Sequence, residues 1–136
     1  MIEFPFKKRH SKQLGVIYKP LIPVTIVEPQ YSVNLFMLLD SGADLSLIPY
    51  SVGEAIGLEL DMHNRSEVQG IGEGSIPYIL SQVVLHIGER EMPIRVGWAL
   101  LEEVPLILGR LDVFRYFAIE FREFEDKIVL KPQRTA

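Results

Sequence analysis

Nine prolines, at positions 5, 20, 23, 29, 49, 77, 93, 105 and 132, are spread along almost the whole chain. Each fixes φ and removes a backbone donor, so long uninterrupted helices have little room between them. The intervening runs are short and rich in β-branched and aromatic residues: Val24–Val27, Val33–Leu39, Ser81–Ile87, Pro93–Trp98, Val104–Leu108, Phe117–Phe121 and Lys127–Leu130. Such runs read as strands. Turn pairs such as Gly88-Glu89 and Glu125-Asp126 separate neighbours, which favours an all-β barrel or sandwich over alternating βαβ units. Two segments depart from this pattern. Ser51–Ile56, closed by Gly57, reads as a short helix with a serine cap, and Arg110–Tyr116 carries apolar residues close to helical spacing.

A chain of 136 residues with 48% hydrophobic content can build one packed core and is short for two. Residues 1–136 are therefore read as a single domain, with Gln133–Ala136 as its disordered end. The formal charge of -4, with acids and bases nearly balanced, leaves no footprint for nucleic acid or an anionic membrane. Cysteine is absent, which removes disulfides, thiolate zinc sites and a cysteine nucleophile. The first ten residues place a charged cluster, Lys7-Lys8-Arg9-His10, after apolar ones, the reverse of a signal peptide. That cluster reads as a solvated face. No apolar run approaches the ~20 residues that cross a bilayer, so the expectation is a soluble, cytoplasmic protein. His10, His63 and His86 lack ligand spacing, and no metal or other cofactor is expected.

The segment that carries chemistry is Leu38-Leu39-Asp40-Ser41-Gly42-Ala43-Asp44, where an apolar strand delivers a carboxylate into a turn of small residues. Burial of that carboxylate is unfavourable unless it is hydrogen-bonded or shares a proton. Ser41 offers a hydroxyl and Gly42 permits close backbone approach. A second apolar run, Leu106-Ile107-Leu108-Gly109-Arg110, also ends in glycine and could pack across the first. Between them, Gln69-Gly70-Ile71-Gly72-Glu73-Gly74-Ser75 has the composition of a mobile hairpin tip.

In order and spacing these three elements resemble the retropepsin family of aspartic peptidases: Asp-Ser-Gly-Ala at 40–43, Gly-Ile-Gly at 70–72, and the hydrophobic-hydrophobic-Gly-Arg motif at 107–110. The match spans roughly residues 20 to 117. The resemblance implies a closed β-barrel with a short helix after the Gly-Arg motif, and an active site on the axis of a homodimer, because this family carries one catalytic aspartate per chain. It implies an aspartic endopeptidase in which Asp40 is the catalytic carboxylate, Ser41 hydrogen-bonds across the axis and Gly42 offers a carbonyl to a peptide or protein substrate. Ala43, Asp44, Gly70, Ile71 and Gly72 would contact that substrate, Asp44 would pair with Arg110, and Leu38, Leu47 and Ile107 would line side-chain pockets. Ser41 replaces the commoner threonine, and Leu45 stands where some viral members place an acid. Residues 1–19 form an N-terminal extension and 117–131 an extra C-terminal hairpin, features closer to cellular and bacterial single-domain relatives than to viral ones.

Plainer readings stand beside these. Asp40 is also a candidate structural turn aspartate, Asp44 and Arg110 a simple surface pair, and Leu38, Leu47 and Ile107 ordinary core. The glycine run at 70–74 lacks the lysine and following helix of a phosphate loop. The rival to an enzyme is a non-catalytic homodimeric module that grips a peptide or partner protein on the same fold.

Overall fold

The computed structural model describes residues 1–69 and 74–133. Twelve strands dominate it: β1 Ile2–Pro5, β2 Lys7–Ser11, β3 Gly15–Lys19, β4 Leu21–Val27, β5 Ser32–Leu39, β6 Ser46–Ile48, β7 Arg65–Gln69, β8 Ser75–Ile87, β9 Arg90–Ala99, β10 Ile107–Leu108, β11 Phe117–Arg122 and β12 Lys127–Pro132. The two α-helices, α1 Tyr50–Ala55 and α2 Val113–Tyr116, are short. Among the described residues no helix is long and apolar enough to cross a membrane.

Six strands close on themselves in the order β4-β5-β10-β6-β9-β8, with β8 returning to β4. The closing pairs are Thr25↔His86, Ile26↔Leu85 and Val27↔Val84. Closure leaves the ring without free edges. Period-two alternation explains which side chains fill it: Ile22, Val24 and Ile26 from β4, Met37 and Leu39 from β5, and Met92 and Ile94 from β9 are buried, while their neighbours on these strands are more exposed. The core is closed at α1 by Trp98, whose indole N–H donates to the Tyr50 carbonyl at 2.9 Å. The Trp98 ring stacks on Tyr50 with centroids 5.4 Å apart, and it lies so close to Gly53 that an added Cβ would sit 2.1 Å from Nε1.

A separate three-stranded sheet, ordered β1-β12-β11, places the two ends of the chain side by side. Ile2 pairs with Leu130 and Phe121 with Ile128. Ile128, Val129 and Leu130 are fully buried, as expected of a central strand covered on both faces. The β2–β3 hairpin forms its own two-stranded sheet.

Several sequence expectations need correction. Ser51 does not cap α1: Pro49 occupies that position without a side-chain bond, and both the backbone N–H and the hydroxyl of Ser51 donate to Glu102. That arrangement holds the Glu102 carboxyl below its usual range, chiefly through the hydroxyl. The helix expected from Arg110 starts only at Val113, because Arg110 and Leu111 direct their N–H groups at Ala43 and Asp44. The strand expected from Val104 narrows to Ile107–Leu108.

Candidate active site

Strand β5 is apolar because its inward residues belong to the barrel core, and it runs out at Asp40. The Leu39 N–H donates to the Pro20 carbonyl at 3.0 Å and the Asp40 N–H to the Leu108 carbonyl at 3.0 Å. The backbone of Asp40 is thus fixed from one side while its side chain stands half-buried at the rim. Its Oδ1 accepts the Gly42 N–H at 2.9 Å, and the Ala43 N–H donates to the Asp40 carbonyl at 3.2 Å. The small residues after the aspartate curl the chain back over the carboxylate. Ser41 and Gly42 are exposed and Ala43 half-buried, so the turn is presented outward.

The opposing wall is the Leu106–Leu111 segment. Ile107 and Leu108 lie parallel to Leu38 and Leu39. The Arg110 N–H then donates to the Ala43 carbonyl at 2.9 Å and the Leu111 N–H to the Asp44 carbonyl at 2.8 Å. Between them the Gly109 N–H donates to the hydroxyl of Ser46 at 3.0 Å, and Ser46 is fully buried. No side chain fits at Gly109, where an added Cβ would lie 2.6 Å from the Leu45 carbonyl carbon.

Residue by residue, the structure brings most of the sequence candidates together. Ile107 pairs with Leu38 on one side and Leu47 on the other, so the three expected pocket residues form one row across β5, β10 and β6. Leu47 is core, at 6% exposure, whereas Leu38 and Ile107 are half-buried. Asp44 and Arg110 form an ion pair. That pair is open in the single chain, with side chains 76% and 58% exposed, where such a bridge contributes about 0–1 kcal/mol. Gly70, Ile71 and Gly72 lie outside the described residues; the strands leading to and from them, β7 and β8, pair up to Gln69↔Ser75.

Two contributors escape the sequence reading. Ser46 carries no signal beyond being a polar residue between two leucines. Asp112 adopts φ 68°, a conformation unfavourable for a side-chain-bearing residue. Its carboxylate chelates Arg95, accepting from the backbone N–H at 2.8 Å, Nε at 3.0 Å and Nη2 at 2.9 Å. These Arg95 bonds hold the Asp112 carboxyl below the usual aspartate range against the opposing effect of burial. The clamp ties the residue after Leu111 to strand β9.

No family model and no curated protein sequence matches the chain. Solved structures do. EIAV protease complexed with an inhibitor superposes with a TM-score of 0.52 at 24% identity, covering 71% of this chain and 86% of its own. The retroviral protease-like domain of Ddi1 from Leishmania major gives 0.60 at 20% identity, covering 84% and 94%. A retropepsin-like aspartic protease from Rickettsia conorii gives 0.59 at 15% identity, covering 94% and 89%. The chain has a retropepsin-like fold. The retropepsin-like likeness takes in more of the chain in the bacterial comparison than in the viral one.

Substitution of Gly109 by alanine should lower stability by about 3 kcal/mol, because backbone, not a flexible side chain, occupies the space; urea denaturation with an unchanged midpoint would contradict this contact. The Asp112 clamp has a signed pH dependence. Its depressed carboxyl contributes stability that is present above the unfolded-state aspartate pKa, near 3.8, and lost as pH falls through the lower folded value. Asp112→Asn should therefore be less stable than the parent at neutral pH, with the gap closing below about pH 3.8; a gap that stays constant across that range would discount the ion pair.

Proposed function

We propose that the chain is one half of a homodimeric aspartic endopeptidase, with Asp40 of each subunit forming a catalytic pair. The observation that carries this reading is the outward-facing Asp40–Asp44 turn, held with its neighbouring wall by the backbone N–H groups of Asp40, Gly42, Ala43, Gly109, Arg110 and Leu111 in a retropepsin-like fold. The sequence holds a single Asp-Ser-Gly triplet, at 40–42, so a two-carboxylate site needs a second copy.

In that assembly two carboxylates at hydrogen-bonding distance cannot both ionise without strong repulsion, and the pair holds one proton between them. The ionised Asp40 takes a proton from a bound water as it attacks the scissile carbonyl. The protonated Asp40 hydrogen-bonds the carbonyl oxygen and then helps deliver a proton to the leaving amine. Ser41 donates across the axis, the Gly42 carbonyl and Ala43–Asp44 bind the extended substrate backbone, and Gly70, Ile71 and Gly72 close over it. Strand-like backbone bonds recognise the peptide, with alternating side chains directed to the row formed by Leu38, Ile107 and Leu47. Arg110 restrains Asp44 and becomes more effective as the partner excludes water from the pair.

Asp40→Asn should reduce cleavage of a mixed peptide library by at least about a hundredfold, the scale of a lost acid–base group. Sedimentation should show the same assembly and denaturation the same fold. Undiminished cleavage would take Asp40 out of the chemistry; absence of cleavage by the parent chain, with peptide binding retained, would favour the non-catalytic module.

A further inference from the structure

The N-terminal hairpin is the most lopsided part of the molecule. Residues 7–19 carry Lys7, Lys8, Arg9, Lys12 and Lys19 and no acid, within a chain whose formal charge is -4. Elsewhere Arg65, Arg95, Arg110, Arg122, Lys127 and Lys131 each pair with a carboxylate, whereas Arg90 and Arg115 form no ion pair among the described residues. None of the five hairpin cations pairs with a carboxylate among the described residues. A row of cations left unpaired in an acidic protein is available to an anionic partner.

The location of the hairpin says which partner. A groove separates it from the outer face of the barrel, lined by Arg9, His10 and Lys19 on the hairpin side and by Phe36, Leu38 and Leu106 on the barrel side. Lys7 fixes the base of the hairpin by placing its ammonium 4.0 Å from the Phe36 ring centroid. The return strand β3 leads into Pro20, whose carbonyl accepts from Leu39, the residue before Asp40. Leu38 is thus at once a wall of this groove and a member of the pocket row beside the turn. The groove has an apolar floor for aliphatic side chains and a cationic rim for carboxylates. Along β2 the side chains alternate, so Arg9 shares a face with Ser11 and the paired Ile17, and Lys8 lies on the opposite face with His10; of that second face only His10 borders the groove, and Lys8 does not.

We infer that the β2–β3 hairpin is an anchoring arm for the substrate, taking an acidic, aliphatic-rich flank of the same peptide whose scissile bond reaches Asp40. The identity of the occupant rests on the peptidase reading; the preference for carboxylates does not. An apolar floor continuous with Leu38 favours a peptide over a nucleic acid, whose phosphates would use the cations alone.

The test uses the full-length Asp40→Asn protein, so that turnover cannot interfere, and two fluorescein-labelled peptides of identical aliphatic sequence, one flanked by Asp and Glu and the other by Asn and Gln. Fluorescence anisotropy should show the acidic peptide binding about three- to tenfold more tightly, the effect of one or two exposed charge pairs, with the advantage shrinking as salt is raised. Arg9→Glu should erase that preference, and Lys8→Glu, an equal charge change on the other face, should keep most of it. Equal affinities, no measurable binding of either peptide, equal harm from both substitutions, or displacement of the peptide by a DNA oligonucleotide at lower concentration than by unlabelled peptide would each overturn the inference. Cleavage by the parent chain is scored separately: cutting without acidic preference sinks the arm alone, and acidic preference without cutting sinks the peptidase reading alone.

Discussion

The turn at Asp40–Asp44 and the strand end at Leu106–Leu111 are stitched together by backbone bonds, and the positions of the candidate site residues on these two segments follow from that contact. The Leu106 and Leu108 carbonyls accept from Leu38 and Asp40, while Arg110 and Leu111 donate back to the turn, with Ser46 receiving the Gly109 N–H from beneath. Each such bond contributes only about 1 kcal/mol net. Acting together they leave the Asp40 backbone a single position. The contact brings main chain against main chain at Gly109, and this close approach explains why a glycine precedes Arg110 more directly than any role in catalysis does.

What the contact produces is a rigid rim facing outward. Asp40 is half-buried, Ser41 and Gly42 are exposed, and the Asp44–Arg110 pair lies largely in solvent. A turn so heavily anchored from within but so open from without is suited to meeting another surface. In the proposed dimer that surface is the same turn of a second copy, and excluding water there would strengthen interactions that are weak in the isolated chain. In the terminal sheet β12 has β1 and β11 of its own chain on its two sides.

The parts of this arrangement legible in the sequence are those written in contiguous residues. An apolar strand ending in Asp-Ser-Gly, a second ending in Gly-Arg, and the C-terminal pairing of Phe117–Arg122 with Lys127–Pro132 each follow from local pattern and turn chemistry. Strands without a single buried face were missed. Arg65–Gln69 is exposed throughout and Ser46–Ile48 buried throughout, so neither alternates in polarity, and Lys7–Ser11 is too charged to resemble a strand. The Arg95–Asp112 clamp joins residues 17 apart through an unfavourable φ, a combination that no residue-type rule anticipates. Ser51 has the residue type of a helix cap, but the distant Glu102 takes up its hydroxyl and its N–H.

The central claim is that each active site needs an Asp40 from both of two chains. The most direct measurement is peptidase activity after subunit exchange between parent protein and increasing proportions of Asp40→Asn. If the site is shared, activity falls as the square of the parent fraction, reaching about one quarter in an equal mixture in which only parent–parent dimers cut. A linear decline, with about one half of the activity left at equal mixing, would mean that one chain suffices and would contradict the account.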